Sequence, residues 1–341
     1  AASTRAQIAM LSSYLTAAFR LLLMLMLSLC GGGLMARALP GAVVAYNDFA
    51  DRGGRIRSIF VLDAQRADLG AREWTRHVPQ PFYYHQSNLS LDGRKLVYFS
   101  RATGRAVLYG LDIGGANGAA FATDGNTARV LNADGDNLNV NPVWSPDGQY
   151  IAYTSARGTG LDIYVMRADR GGEQVIARSA EHESRPAWSP DGRALAYQVW
   201  LPESIEIFTL GVVDGTPSGA PRRLTDNRAV DTNPSWSPDG RWIAYESNEW
   251  TRGSVDIALI EVATGERRPI TPRAVGSGSV VTARYTQPVW LANGRQIAFI
   301  AVIGERSYIA VTSVDADSSD AVRLLAPTRT DALWALWLPP L

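Results

Sequence analysis

A short phrase recurs three times in this chain, and no other feature limits its fold so strongly. It reads Pro-x-Trp-Ser-Pro-Asp-Gly, with its tryptophans at Trp144, Trp188 and Trp236. A degenerate fourth copy contains Trp290, and a fifth keeps little more than Asp92 and the glycine that follows it. Successive copies are 44 to 55 residues apart, and repeats of this length built from strands and turns are typical of a β-propeller.

Each copy continues into two short apolar segments rich in β-branched and aromatic residues. Residues 151–153 and 163–165 are the clearest pair, and six segments of each kind can be counted along the chain. Ser-Pro-Asp-Gly favours a type I turn, because proline presets φ, aspartate tolerates the next position and glycine takes the left-handed conformation. One repeat therefore predicts a four-stranded antiparallel blade.

The repeated tryptophans and aspartates are interpreted as structural residues. A side chain that recurs once per repeat at one place in a tight turn serves the repeat itself, and an indole is large enough to pack between neighbouring blades. The residues concerned are Trp144, Asp147, Trp188, Asp191, Trp236, Asp239 and Trp290.

The two ends of the chain supply the parts of one incomplete blade. Residues 43–46 and 58–62 provide strands that no tryptophan strand precedes, whereas residues 333–338 provide a strand with no blade of its own. Pairing between them would close a ring and hide its strand edges, so a monomer is expected. The sequence thus predicts an all-β fold, a six-bladed β-propeller over residues 41–341, closed by pairing of the C-terminal strand with the N-terminal strands.

Residues 1–40 differ chemically from the rest of the chain. Between Ala6 and Ala36 the only charge is Arg20, and residues 21–30 are almost entirely apolar. A hydrophobic N-terminal helix is expected here, either as a signal peptide with a small-x-small cleavage pattern at residues 36–38 or as a membrane anchor over residues 7–36. Lipidation of Cys30 is a third interpretation. Export to the periplasm or to the extracellular face of the membrane follows in each case.

Cysteine content and charge exclude several classes of protein. Cys30 is the only cysteine, so the propeller is expected to have no disulfide, thiolate metal site or cysteine nucleophile. The chain has 33 basic and 33 acidic residues, and residues 1–38 contain three arginines and no acid; 30 basic residues against 33 acidic ones leave a net charge of −3. Because no basic stripe is present, nucleic acid is not an expected partner.

The clearest repeat, over residues 141–166, contains Asn-Pro-x-Trp-Ser-Pro-Asp-Gly, then Ile-Ala-Tyr, then Asp-Ile-Tyr-Val-Met. It resembles the WD40-like (PD40) repeat of the TolB-like β-propeller family, and the resemblance covers residues 43–339. The resemblance implies an envelope protein, like the periplasmic partner of the Tol-Pal system. The TolB N-terminal domain is not expected here, since the hydrophobic segment runs almost directly into the first strand. Propeller peptidases share the repeat, but no Gly-x-Ser-x-Gly nucleophile elbow occurs in this sequence.

The connections from an outer strand to the next inner strand converge on one mouth of a propeller channel, where we predict the binding site. The residue before the recurring proline is polar each time, and Gln86 occupies this position in the first full copy. The predicted partner-binding residues are Asn141, His182, Arg185, Asp231, Asn233 and Gln287. Arg185 is expected to face solvent and to pair with a carboxylate of an envelope protein or peptide. An alternative in which these groups bond only loop backbone and channel water stays open.

A second function also stays open, a calcium-dependent propeller hydrolase of the lactonase type. Its ion would need carboxylates from three of the same connections, namely Asp134, Asp136, Glu181, Glu183, Asp226 and Asp231. Arg185 would repel a cation there, so we favour a non-catalytic propeller with no cofactor and no metal. The histidines at 77, 85 and 182 are scattered, and residues 132–139 lack the glycine and distal glutamate of a calcium loop.

Overall fold

The computed structural model describes the chain in separate ranges, to which every structural statement here refers. They are residues 43–49, 56–63, 72–73, 84–89, 95–100, 107–112, 129–132, 137–169, 172–251, 253–271, 283–291, 293–315, 322–327 and 334–337. The helix and the signal or anchor segment predicted over residues 1–40 lie outside these ranges. No helix within them has the length and apolar character needed to cross a membrane.

The described residues form 24 strands, grouped into six antiparallel sheets of four strands each. Sheet 1 contains β1 (Val43–Phe49), β2 (Ile56–Asp63), β3 (Arg72–Glu73) and β24 (Trp334–Trp337). Sheet 2 contains β4 (Tyr84–Leu89), β5 (Lys95–Ser100), β6 (Val107–Asp112) and β7 (Arg129–Asn132). Sheet 3 contains β8 (Leu138–Trp144), β9 (Tyr150–Ala156), β10 (Leu161–Arg167) and β11 (Glu173–Ala177).

The remaining three sheets repeat this arrangement. Sheet 4 contains β12 (His182–Trp188), β13 (Ala194–Trp200), β14 (Ile205–Val213) and β15 (Thr216–Arg223). Sheet 5 contains β16 (Asp231–Trp236), β17 (Trp242–Ser247), β18 (Asp256–Glu261) and β19 (Arg267–Pro269). Sheet 6 contains β20 (Ala283–Trp290), β21 (Gln296–Ile303), β22 (Arg306–Ser313) and β23 (Arg323–Pro327). The all-β prediction is confirmed for the described part of the chain.

The first and last strands of the chain are neighbours in sheet 1. Val44 on β1 lies opposite Trp337 on β24, and Asn47 lies opposite Trp334, in antiparallel register. Within each of the other five sheets, consecutive strands pair in chain order. The closed six-bladed ring stays a prediction.

The Ser-Pro-Asp-Gly phrase forms the turn between the first and second strands of a sheet. In the copy that begins at Ser189, the serine hydroxyl donates to Asp191 Oδ1 at 2.6 Å, and the same oxygen accepts from Arg193 N at 3.0 Å. Gly192 has a φ of 71°, which favours glycine because other residues are strained there. The hydrogen bond from Ser189 holds the pKa of Asp191 below its usual range. Asp147 and Asp239 accept the equivalent bonds in their own turns, which agrees with the structural interpretation.

The apolar core lies between neighbouring sheets. The two faces of one strand contribute to two different parts of it. Ile243 and Tyr245 on β17 pack with residues of sheet 4, whereas Ala244 between them packs with residues of sheet 6. Successive side chains of a strand point to opposite faces, so β17 buries both of its faces at once. Sheet 5 is therefore enclosed by its neighbours on either side.

The repeated tryptophans contribute unequally to this packing. Trp290 is 2% exposed and packs with Ile257 of sheet 5. Trp188 is half-buried against a cluster formed by sheets 3 and 4. Trp236 is also half-buried, and its Nε1 donates to Ala187 O in sheet 4 at 3.1 Å. Each of these indoles lies between two sheets, but only Trp290 is enclosed completely.

We expect Trp290→Ala to lower the free energy of unfolding by about 3 to 5 kcal/mol, the usual cost of deleting a large aromatic from a core. Trp188→Ala should cost distinctly less, because part of its ring already contacts water. Urea denaturation followed by circular dichroism measures both variants. Equal losses for the two would contradict the unequal burial.

Candidate functional site

Four of the predicted site residues share an unusual backbone conformation. Asn141, Arg185, Asn233 and Gln287 have φ angles of 53°, 54°, 53° and 56°. This left-handed region is uncommon for residues other than glycine. Each residue lies where the pairing of the first and second strands shifts register, as does Gln86 in sheet 2. The residue and the proline after it therefore form a β-bulge inside the first strand of the sheet, not in the preceding connection.

The bulge points a backbone N–H toward the preceding sheet. Three such donors and their acceptors are Arg185 N to Thr154 Oγ1 at 3.2 Å, Asn233 N to Gln198 Oε1 at 3.3 Å and Gln287 N to Glu246 Oε1 at 2.6 Å. The acceptors occupy one repeat-equivalent position, directly after the buried tyrosine of the second strand. These three bonds therefore join sheet 3 to sheet 4, sheet 4 to sheet 5 and sheet 5 to sheet 6.

Three sheets meet at Glu246, which is 8% exposed on β17. Its Oε1 accepts from Asn233 Nδ2 at 2.5 Å within sheet 5 and from Gln287 N in sheet 6. Burial raises the pKa of Glu246, while the Gln287 N–H and the positive charge of Arg185 in sheet 4 oppose the rise. The structure thus brings Arg185, Asn233 and Gln287 together around a buried carboxylate.

Arg185 is half-buried, and the expectation that it faces solvent is wrong in this respect. Burial lowers the pKa of Arg185, and the nearby charge of Glu246 acts in the opposite direction. The guanidinium of Arg185 in sheet 4 and the carboxylate of Glu246 in sheet 5 thus lie close enough for their charges to interact. Reversal to glutamate would place a second acid beside Glu246, so a neutral substitution is the better probe of recognition.

His182 and Asp231 precede their bulges by three and two residues and have different environments. His182 is exposed at the start of β12, and its Nδ1 accepts from Leu161 N at 3.1 Å. Asp231 is fully buried, with Oδ1 accepting from Ser247 Oγ at 2.5 Å and Oδ2 from Asn227 Nδ2 at 2.9 Å. Burial raises the pKa of Asp231 to about 6. Asp231 therefore holds the connection before β16 in place through Asn227, whereas His182 lies on the protein surface.

An exposed apolar row begins beside His182. Trp200, opposite His182 in the register, is 47% exposed, and its Nε1 donates to Ser184 Oγ at 3.3 Å. Ile205 pairs with Trp200 on one side and bridges Val230, which is 42% exposed, on the other. Trp200 and Val230 thus expose apolar surface at this end of sheets 4 and 5. Sequence reasoning missed Trp200 because it lies outside the repeated phrase, and only the pairing reveals its position.

Besides Asp231, two carboxylates of the alternative calcium site are bound by other groups in the described residues. Glu183 Oε1 accepts from Ser179 Oγ at 2.5 Å, and Asp226 pairs with Arg223 at 2.8 Å. Asp134 and Asp136 lie outside the described residues. Among the residues that are described, no three His, Cys, Asp or Glu side chains are grouped so that they could hold a metal ion.

We expect Glu246→Ala to lower the free energy of unfolding by about 2 to 3 kcal/mol, because it leaves the donors of Thr232, Asn233 and Gln287 without an acceptor. Gln198→Ala is the matched control, since Gln198 accepts one long bond at the equivalent position of sheet 4. Its cost should be about 1 kcal/mol. Chemical denaturation measures the free energy of unfolding of both variants. If Glu246→Ala lowered it no more than Gln198→Ala does, the special role of Glu246 would be contradicted.

The repeats match a known protein family. A family model described as the TolB beta propeller domain matches residues 119–335. None of the curated proteins matches the chain in sequence.

Several solved structures share the fold. TolB from Acinetobacter baumannii is 18% identical, with a TM-score of 0.64 over 88% of this chain and 67% of that chain. A putative TolB from Agrobacterium tumefaciens is 18% identical, with a TM-score of 0.59 over 86% of this chain and 90% of that chain. A puromycin hydrolase is 15% identical, with a TM-score of 0.55 over 91% of this chain and 55% of that chain. Likeness at these identities shows the fold alone.

Proposed function

Because the chain belongs to the TolB β-propeller domain family, we propose that it is a non-catalytic propeller of the cell envelope that binds a protein or peptide at the mouth of its channel. The observation that carries the proposal is the meeting of three sheets at Glu246, which gathers Arg185, Asn233 and Gln287. Charged and amide groups held by rigid strands provide the donors and acceptors that fix an extended peptide. Export is part of the proposal, and it is supported by the family and by the apolar residues 7–36.

A channel requires a closed ring, and six blades are proposed for it. Six four-stranded sheets and the pairing of β24 with β1 support this arrangement. The sheets also contact one another in chain order through shared apolar clusters. The proposed ring would present the bulges of β4, β8, β12, β16 and β20 toward one axis.

Two kinds of contact are available at the proposed mouth. Arg185 contributes positive charge that favours a carboxylate on the partner. Trp200 and Val230 contribute exposed apolar surface at the same end of sheets 4 and 5. A partner segment that carries an apolar residue and a carboxylate would use both. The resemblance to puromycin hydrolase adds no catalytic group to this proposal, since the chain contains no Gly-x-Ser-x-Gly elbow.

Site-specific photo-crosslinking tests the location of the binding surface. The photoreactive p-benzoylphenylalanine replaces Trp200 or Val230 in one set of full-length proteins. It replaces Val213 in the control, because Val213 is 55% exposed and lies at the opposite end of β14. We expect discrete crosslinked products in envelope preparations from the two mouth positions and none of the same mass from Val213.

Arg185→Gln, combined with the probe at Trp200, then tests the role of charge. We expect at least about a tenfold loss of the crosslinked product, the effect of removing one charge-assisted contact. Arg167→Gln is the control, since Arg167 is an exposed arginine paired with Asp169. Products that form equally from Val213 would place the binding surface elsewhere, and products that persist in Arg185→Gln would contradict the role of its charge.

Deletion of the residues after Pro327 tests the closed ring. The deletion removes β24 and leaves an edge of β1 without its partner. We expect aggregation or a marked fall in melting temperature, because unpaired strand edges associate. Light scattering and calorimetry measure these effects. A shortened chain that melts cooperatively at the temperature of the full-length protein would contradict closure.

A further inference from the structure

The connection between sheets 4 and 5 is built on two buried carboxylates. Glu206 on β14 and Asp231 at the start of β16 are both fully buried. Asn227, in the connection between them, donates its N–H to Glu206 Oε1 at 3.2 Å and its Nδ2 to Asp231 Oδ2 at 2.9 Å. Ala229 N donates to Asn227 Oδ1 at 2.7 Å, which extends the attachment along the connection. One asparagine thus ties acids of two adjacent sheets.

Negative charge exceeds positive charge around this asparagine. Arg223 on β15 contacts Glu206 Oε1 at 3.0 Å and the exposed Asp226 at 2.8 Å. Glu249, after β17, accepts from Asn227 Nδ2 at 3.1 Å and pairs with Arg267 on β19 at 2.7 Å. The uncharged groups that contact Asp231 are hydroxyls of Ser247 and Thr225, and Tyr245 lies close enough to feel its charge. Two arginines therefore face four carboxyl groups, those of Glu206, Asp226, Asp231 and Glu249.

One oxygen in the cluster has no partner. Glu206 Oε2 is buried and makes no hydrogen bond within the described residues. A buried carboxylate oxygen without a hydrogen-bond donor is costly in a place without water. Burial raises the pKa of Asp231, with the charge of Glu206 adding to the rise while its hydroxyl and amide donors oppose it.

We propose that Asp231, which Asn227 ties to the buried Glu206, forms a proton-dependent latch between sheets 4 and 5, which holds a proton in acid and releases it to solvent as the pH approaches neutrality. Release leaves a negative charge on Asp231 in the buried space that Asn227 bridges, and it weakens the attachment of residues 225–231. The same connection presents the exposed Arg228 and Val230 at the end of the sheets where Trp200 lies. Proton release therefore changes the shape and mobility of that surface.

The direction of the pH dependence follows from the difference in the pKa of Asp231 between the folded and unfolded states. Asp231 binds its proton more tightly when folded, because its pKa is about 6 instead of the ordinary value of 3.8. The stabilisation is fully present below the unfolded pKa and is lost as the pH rises through the folded pKa. The latch is thus closed in mild acid and loosened at neutral pH. The turn residue Asp191, whose pKa is lowered, instead contributes stability that is lost as the pH falls.

Hydrogen exchange of the full-length protein tests the latch. The amides of Asn227 and Ala229 should lose at least about tenfold in protection factor between about pH 5 and pH 7.5, because one pKa unit of preferential protonation corresponds to a factor of ten. The amide of Ile270 is the internal control, since it donates to Ile257 O with no acid involved. Its protection factor should not change with pH.

Two variants make the result decisive. Asp231→Asn should remove the pH dependence of the Asn227 and Ala229 amides, and Glu206→Gln should reduce it by removing the neighbouring charge. Glu206→Gln serves alone if Asp231→Asn does not fold. Asp191→Asn, in a turn, should leave the dependence unaltered. A flat profile in the wild-type protein, or an unchanged slope in Glu206→Gln, would overturn the proposal.

Discussion

A β-strand that buries both of its faces needs neighbours on both sides, and the two middle strands in each of sheets 3 to 6 are largely of that kind. All six residues of β18 are buried, although successive side chains point in opposite directions. The apolar surface that covers them belongs in part to neighbouring sheets of the same construction. Each sheet therefore depends on two others, and this dependence explains why the repeat occurs as an array.

The polar groups between the sheets follow from the same constraint. Close packing would leave the bulge N–H without water, so a side chain of the preceding sheet must accept its hydrogen. Thr154 and Gln198 do this with neutral oxygens, whereas Glu246 does it with a carboxylate. The carboxylate needs more donors than a neutral oxygen does, and Asn233 and Arg185 supply a bond and a charge. Function is proposed where this structural demand has gathered the most polarity.

The all-β class and the turns could be predicted from the sequence because they depend on local chemistry. Serine, proline, aspartate and glycine specify a turn whatever surrounds them, and the turn at Ser189 has the expected bonds. The environment of Arg185 could not be predicted in this way, since its burial depends on Glu246, about sixty residues later in the chain. Trp200 was missed for the same reason. Alternation within β13 does not reveal which end of the strand is exposed, and the neighbours that reveal it are His182 and Ile205 on the adjacent strands.

The bulge bonds also define what can be exchanged between repeats. Each bond has its donor in one sheet and its acceptor in the sheet before, so a repeat carries half of a joint at either side. Gene duplication of an entire repeat would preserve every joint, because the new copy brings both halves. Each repeat supplies a donor to the preceding repeat and an acceptor to the following one. A recombination point inside a repeat would separate that donor from that acceptor. Inheritance by whole repeats is therefore favoured, and individual acceptors such as Glu246 remain free to diverge after duplication.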